Sequence, residues 1–285
     1  MNLARSSWLI AGIYVFTLVI CIIVALFIGP IHPILKALVL DVIGTVLIFL
    51  FSMIFNNSSM YDPYWSVAPL PILIYWVLIG ADEANVYRQF IILMLVFIWG
   101  IRLTYNWITR WTGLKDEDWR YVNFRNRFKR WYWPVSFLGI HFFPTMIVFF
   151  ALVSVYPAMQ SDASLGILDF LATGITVFAI YMEWRADREL RNFLHRNDGS
   201  PFLRTGLWKY SRHPNYFGEV LFWIGLFLFS MSSGFFYWWI IPGPVLMILL
   251  FYFISIPMID KRMMSRKAGY REYMSETSSM IPWPF

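Results

Sequence analysis

The fold is decided where a basic segment runs directly into an apolar stretch of membrane-spanning length. This junction reads Ser211-Arg212-His213-Pro214-Asn215-Tyr216-Phe217-Gly218-Glu219, and mostly apolar residues continue to position 239. Proline suits the first turn of a helix, and the free backbone N–H groups at that end favour anions. Arg212 and His213 add positive charge there, whereas Glu219 lies one turn inside the apolar run. A carboxylate within a membrane is costly without a partner, so the junction predicts a functional site.

The composition indicates a membrane protein. Of the 285 residues, 59% are hydrophobic and 14% are charged, whereas soluble domains carry about 25% charged residues. Cys21 is the single cysteine, which excludes a disulfide framework and a cysteine metal site. The net charge of +6 does not indicate nucleic-acid binding, because the basic residues are confined to particular loops between apolar runs.

Eight apolar runs have about the length of a spanning helix. They are 8–29, 37–55, 66–80, 89–109, 133–155, 164–183, 216–239 and 242–259. The third run is short and contains Pro69 and Pro71, so a re-entrant segment and seven crossings remain the alternative. We find no internal repeat or linker. The sequence therefore predicts an all-α, polytopic bundle of seven to eight transmembrane helices in a single domain over 1–285.

Charge asymmetry predicts the orientation of this bundle. All but three of the 23 Lys and Arg residues lie near the N-terminus or within 110–132, 184–215 and 260–285. The exceptions are Lys36, Arg88 and Arg102. Because Lys and Arg concentrate on the cytosolic side, eight crossings with both termini cytosolic are expected. We predict a monomer in the bacterial inner membrane, or in the endoplasmic reticulum of a eukaryote.

Polar side chains share helix faces at two places. Glu183, Asp187 and Arg191 are spaced four residues apart, and so are Asn215 and Glu219. The first set could hold an amide, a ribose hydroxyl or a phosphate, or could form ion pairs at a solvated helix end. The second set suits a carboxamide or an adenine edge, and its alternative is a helix cap with a snorkelling carboxylate.

Basic residues supply candidate phosphate ligands. Arg212, His213 and Arg204 lie at the junction, and arginine suits bidentate binding of phosphate. Arg102 and Asn106 lie near the inner end of the fourth run, where an arginine faces the bundle interior or snorkels. Arg120 belongs to a basic, aromatic segment at 118–130 that could cover cofactor phosphates or contact lipid headgroups.

The candidate proton donors lie in a loop that contains Tyr61, Asp62 and Tyr64. A tyrosine hydroxyl can donate a proton to a carbonyl or carbanion when a neighbour tunes its pKa. The alternative is an aromatic belt at the membrane boundary. The four histidines are scattered, so we predict no metal site. The sequence also lacks the glycine-rich dinucleotide fingerprint and the phosphate-binding loop of soluble enzymes.

The stretch from Gly206 to Glu219 resembles the steroid 5-alpha-reductase superfamily, and in particular its microbial branch. Further pieces are Gly269-Tyr270-Arg271-Glu272-Tyr273 and Ile281-Pro282-Trp283. The resemblance covers about 175–285, and we expect cofactor binding mainly there. It implies a membrane-embedded enzyme that uses NADPH to reduce a C=C bond conjugated to a carbonyl in a lipophilic, steroid- or isoprenoid-like substrate.

The resemblance also implies cofactor-binding roles for particular residues. The positions that match are Asp187, Arg191, Asn215, Glu219 and Tyr273, and the quoted motif adds Tyr210, Arg212 and His213. Glu183 stands where steroid reductases carry asparagine, and Trp99 where their catalytic tyrosine lies. The proton donor is therefore sought among Tyr61, Asp62 and Tyr64.

Two other functions compete with this prediction. Membrane methyltransferases of the isoprenylcysteine and phospholipid type share the Arg-His-Pro motif and use S-adenosylmethionine. They carry paired glutamates where this chain reads Pro257-Met258-Ile259-Asp260-Lys261-Arg262, which lacks them. A lipid carrier or transporter is the second alternative, although transporters commonly contain repeats. The expected partners are the lipophilic substrate and membrane lipid, with no nucleic acid.

Overall fold

The computed structural model describes residues 3–80, 84–196, 199–234 and 237–283 and is built from helices. We number them α1 (Leu3–Phe27), α2 (Pro33–Ile54), α3 (Tyr64–Val67), α4 (Pro69–Leu78), α5 (Val86–Ile108), α6 (Trp119–Val153), α7 (Tyr156–Gln160), α8 (Ile167–Arg196), α9 (Pro214–Ser232), α10 (Trp238–Arg266) and α11 (Tyr270–Glu276). Within the described ranges, seven helices are long and apolar enough to cross a membrane, namely α1, α2, α5, α6, α8, α9 and α10. The prediction of an all-α integral membrane bundle is confirmed.

The third predicted span, 66–80, is not one long helix. It consists of α3 and α4, which meet at Pro69, a residue that lacks a backbone N–H and favours the start of a helix. The two short helices nevertheless run from one end of the bundle to the other. Just before α3, Ser59 Oγ accepts from the Asp118 backbone N–H at 2.8 Å, and near the end of α4 the Trp76 carbonyl accepts from Gln160 Nε2 at 3.1 Å.

The described residues near both termini lie at the end of the bundle that contains Asp118. Near the N-terminus, Ser6 lies beside Gly113, and in α10 the Arg262 guanidinium lies 3.9 Å from the Trp119 ring centroid. We call this the basic end, since it holds the basic segments 110–132, 184–196 and 260–276. At the opposite end, a fully buried Arg88 pairs with Asp169 at 2.7 Å and ties α5 to α8.

Two glycines bring α8 and α9 into close contact. A Cβ at Gly218 would lie 2.9 Å from the Ala179 carbonyl oxygen and would overlap the Glu183 side chain, and a Cβ at Gly225 would overlap Thr176. Small residues allow helix backbones in membranes to approach closely. This approach places the carboxylates of the two helices side by side at the basic end.

Candidate functional site

A cavity of about 520 Å³ opens near the basic end, and we call it the main cavity. Ligand sites typically enclose about 300–1,000 Å³. Its polar lining comes from separate parts of the chain: Ser59, Tyr61, Asp62, Arg102, Asn106, Arg110, Asp116, Asp118, Arg120, Tyr121, Asp187, Asn215, Tyr216, Glu219 and Ser255. The remaining walls are apolar and include Val148, Met247, Leu250 and Phe251. The fold therefore brings polar side chains from several segments to one cavity, whose other walls are apolar.

Arg102 is the centre of the buried polar cluster. Its guanidinium lies 2.6 Å from Asp187 and 3.4 Å from Glu219, and it also pairs with Glu183. The Arg102 side chain is 9% exposed, and the three carboxylates are similarly buried. One arginine from α5 thus holds carboxylates from both α8 and α9, which confirms that this intramembrane arginine faces the bundle interior.

Asp187 and Arg191 are joined through a residue of another helix. Asn106 Nδ2 donates to Asp187, and Arg191 donates to Asn106 Oδ1. The sequence spacing allowed a direct Asp187–Arg191 pair along α8, but Asp187 pairs with Arg102 instead. The reason is that α5 packs against this face of α8 and supplies closer donors. Glu183 belongs to the Arg102 cluster but does not line the main cavity.

Two indole groups hold the carboxylate of Glu219. Trp99 Nε1 donates to its two oxygens at 3.1 and 3.2 Å, and Trp223 Nε1 donates at 3.0 Å. The Trp99 ring also stacks on Phe222, with ring centroids 4.7 Å apart. The resemblance aligned Trp99 with a catalytic tyrosine, but it did not predict that either tryptophan would bind Glu219. The four-residue spacing of Trp223 from Glu219 was a signal that could have found one of them.

Asn215 presents a free hydrogen-bond acceptor. It lines the main cavity, and its Oδ1 atom is buried without a hydrogen-bond partner. Leaving a buried polar atom unpaired costs about 1–3 kcal/mol, so such an atom indicates a missing donor. Asn215 and Glu219 face the same cavity, as their spacing predicted. Their oxygens suit the N–H groups of an amide or amino group.

Four predicted cofactor residues, Tyr210, Arg212, His213 and Tyr273, instead contact residues of the C-terminal part of the chain or its neighbours at 208–211. Arg212 and His213 both contact Asp260, at 3.0 and 3.1 Å, and Arg212 donates to the Thr277 carbonyl at 2.6 Å. They do not line the main cavity, so the structure does not bring these two predicted phosphate ligands together with the residues that do. Residues 260–277 supply partners to both side chains instead, a long-range pairing that local spacing does not reveal.

Tyr210 and Tyr273 also join the segment before α9 to the C-terminal part of the chain. The Tyr210 carbonyl accepts from the backbone N–H of Trp283 at 3.2 Å, and the Tyr273 hydroxyl donates to the Trp208 carbonyl. Neither lines the main cavity. Arg204, the third predicted phosphate ligand of the junction, forms an exposed pair with Glu276 at 3.0 Å. The basic residues that do line the main cavity are Arg102, Arg110 and Arg120.

Of the three candidate proton donors, Tyr61 and Asp62 line the main cavity. Tyr64 does not, and its hydroxyl donates instead to the carboxylate of Asp41 in α2 at 2.9 Å. Tyr64 is thus a poor candidate for contact with a ligand. Tyr61 shares a hydrogen bond with Thr145 at 2.8 Å, and burial raises the pKa of the Tyr61 hydroxyl well above its usual range.

Asp62 is the titratable group best suited to proton transfer. Burial raises the pKa of its carboxyl to about 7, although the neighbouring Arg120 guanidinium and the Tyr121 hydroxyl oppose this rise. Tyr121, which sequence reasoning did not select, donates to Asp62 and also lines the main cavity. Arg120 lines the cavity too and is held by Asp118 at 2.7 Å. A carboxyl that titrates near neutral pH can give or take a proton under cellular conditions.

The fold and this cavity define an integral membrane protein with a ligand-sized, partly charged chamber at the basic end of its helical bundle. A family model described as "Protein of unknown function (DUF1295)" matches residues 48–277, and the chain belongs to that family. The matched range contains every residue that lines the main cavity.

The chain is also similar to a protein of Schizosaccharomyces pombe that is described as uncharacterized. The two are 26% identical over 203 residues, which is 63% of this chain and 59% of the relative. The chain thus spans less than two thirds of the relative's length. No solved structure matches the chain.

Proposed function

We propose that this protein is a membrane-embedded reductase of the steroid 5-alpha-reductase type, which uses NADPH to reduce a C=C bond conjugated to a carbonyl in a lipophilic substrate. The observation that carries this proposal is the set of buried acceptors at Asn215 and Glu219, which lie in the same cavity as Arg110 and Arg120. A dinucleotide needs acceptors for its amide and amino groups and cations for its phosphates.

The cavity residues fit such a cofactor. The unpartnered Oδ1 of Asn215 and the oriented carboxylate of Glu219 can accept hydrogen bonds from a carboxamide or adenine N–H. Asp187 can accept from a ribose hydroxyl. Arg110 follows the end of α5 at Ile108, on the basic side of Arg102, where it can meet phosphates together with Arg120. When bound, NADPH would supply the hydride.

The chain's own groups would handle the substrate and the proton. The apolar wall formed by Val148, Met247 and Phe251 can take up a lipophilic body and exclude water, which strengthens the polar contacts in the cavity. Asp62, with Tyr121 hydrogen-bonded to it, would hold a proton at the cavity wall and polarise the substrate oxygen. These roles match the acid that reduction of an enone requires.

Equilibrium binding tests the cofactor. Purified protein in detergent should bind NADPH, and Glu219→Gln should weaken this binding by about tenfold or more, since a hydrogen bond to a buried charge contributes about 1.5–3 kcal/mol. Glu276→Gln is the control, because Glu276 lies in an exposed pair far along the chain from the cavity. Binding of S-adenosylmethionine without binding of NADPH would replace the reductase by the methyltransferase.

A turnover assay tests the reaction. Conjugated enones of steroid and isoprenoid type are incubated with NADPH and the protein in lipid nanodiscs, and consumption of NADPH and the saturated product are measured. Asp62→Asn should slow reduction without changing the affinity for NADPH. Unchanged turnover in Asp62→Asn would show that the acid lies elsewhere.

A further inference from the structure

A second cavity of about 310 Å³ lies between α5 and α8, and we call it the side cavity. Its walls include Ile98, Ile101 and Tyr105 of α5 and Trp184 of α8, and each of these large side chains is more than 40% exposed. They lie within helices that are apolar and long enough to span the membrane. In a bilayer this opening therefore faces lipid rather than water.

The side cavity shares residues with the main cavity. Arg102, Asn106 and Asp187 line both of them. These three side chains form the polar row between α5 and α8, so a molecule in the side cavity would touch the same groups as a molecule in the main cavity. The lipid-facing opening and the main cavity therefore meet at these three residues.

Arg102, which lines both cavities, has one donor without a partner. Its side chain is 9% exposed, and its Nε atom is buried without a hydrogen-bond partner. A guanidinium carries five N–H donors, and a buried donor without a partner is costly. The natural occupant is a molecule that brings an acceptor oxygen to this point.

The chemistry of the side cavity changes along its length. Ile98 and Ile101 lie deeper in the membrane, whereas Arg191 lies toward the basic end of α8. Ile98 and Tyr105 are seven residues apart, so the α5 wall extends over about 10 Å. An amphipathic lipid in the leaflet at the basic end has the same polarity, with its apolar body deep and its polar end near the water boundary.

We propose that the side cavity is the lateral entrance through which the lipophilic enone substrate passes from this leaflet into the main cavity, with its carbonyl oxygen led by Arg102. This inference rests on the proposed function for the identity of the substrate. The entrance itself is defined by its walls and by the polar row that both cavities share.

Photolabelling tests the entrance. The probe is a long-chain alkyl α,β-unsaturated ketone with a diazirine at the far end of the chain, added to the protein in phosphatidylcholine nanodiscs. We expect adducts concentrated at 98–105 and near Trp184, and competition by excess unlabelled ketone. Adducts spread evenly over all lipid-exposed helices, or displaced by added phospholipid but not by the ketone, would overturn the proposal.

Variants of the walls sharpen the test. Ile101→Trp should fill the side cavity, lower the labelling at 98–105 several-fold and raise KM for an enone without lowering kcat. Phe97→Trp is the matched control, because Phe97 is also exposed on α5 but does not line the side cavity. Trp184→Ala removes part of the opposite wall and should increase labelling. Equal labelling in Ile101→Trp, Phe97→Trp and the unmodified protein would refute the entrance.

Binding of NADPH separates the two proposals. It should be the same in Ile101→Trp as in the unmodified protein, since Ile101 does not line the main cavity. Specific labelling of the side cavity in a protein that neither binds NADPH nor reduces the ketone would remove the reductase assignment and leave a lipid-binding site. Binding of NADPH with labelling that Ile101→Trp does not change would remove only the entrance.

Discussion

Arg102→Met is expected to destabilise this protein more than any exposed arginine substitution. Methionine keeps the length and apolar stem of the side chain but removes the cation that Glu183, Asp187 and Glu219 share. All four groups are more than 90% buried, and breaking a buried pair by removing one partner typically costs about 3–5 kcal/mol. Three carboxylates then face one another in an apolar bundle.

Reversible unfolding in mixed detergent micelles measures this loss as a change in the free energy of unfolding. Arg185→Met is the matched control, because Arg185 is 46% exposed and pairs with Glu189 within α8. Exposed pairs contribute about 0–1 kcal/mol, so the control should lose little.

A second substitution isolates the electrostatic cause. Glu183→Gln in the Arg102→Met background removes one of the unbalanced charges and should recover part of the stability, with a coupling of about 0.5–3 kcal/mol. Equal losses for Arg102→Met and Arg185→Met, or no recovery in the double variant, would refute the view that Arg102 balances the cluster.

Three further predictions concern packing, pH and orientation. Gly218→Ala should lower the free energy of unfolding by about 1–3 kcal/mol, because its Cβ would overlap α8. The stability of Asp62→Asn relative to the unmodified protein should increase as the pH rises from about 4 to about 8. Burial raises the pKa of Asp62 from near 3.8 to about 7, so the stabilisation by its protonated form is lost as the pH rises through that range. Trp99→Phe keeps an aromatic side chain but removes one indole donor from Glu219, which should cost about 1.5–3 kcal/mol of unfolding free energy.

Controls for these predictions come from the same helices and cavity. Gly174→Ala in α8 meets no atom within 4 Å and should be neutral or stabilising, so a loss equal to that of Gly218→Ala would contradict the packing argument. Trp65→Phe is the control for Trp99→Phe, because Trp65 lines the main cavity and contacts the Trp99 ring edge-on but makes no hydrogen bond to Glu219. A difference between Asp62→Asn and the unmodified protein that does not vary with pH would contradict the titration of Asp62.

Local spacing predicted those parts of the site that lie on a single helix. Asn215 and Glu219 face one cavity because residues four apart share a helix face, and the same rule places Glu183 and Asp187 together. The lengths of the apolar runs predicted the spanning helices, because each helix that crosses the membrane depends on the composition of its own segment. The broken third span is a partial exception, because the sequence showed its prolines but not where the helix would divide.

Contacts between distant segments could not be predicted in this way. Arg212 looked like a phosphate ligand at a helix start, but Asp260, 48 residues away in the chain, pairs with it. Tyr61 and Tyr64 were equivalent candidate proton donors in the sequence. In the structure, Asp41 of α2 accepts a hydrogen bond from Tyr64. Tyr121 became a candidate only because α6 brings its hydroxyl to Asp62.

The amino-acid sequence was sufficient for the membrane class, the helix lengths and the distribution of charge, because these follow from the hydrophobicity and periodicity of short segments. The centre of the site depends instead on how the helices pack. Arg102 can serve three carboxylates only after Gly218 and Gly225 let α9 approach α8, and Trp99 can reach Glu219 only because α5 packs beside these two helices. Such distances arise from side-chain volumes on several helices at once, and no local pattern along the chain specifies them.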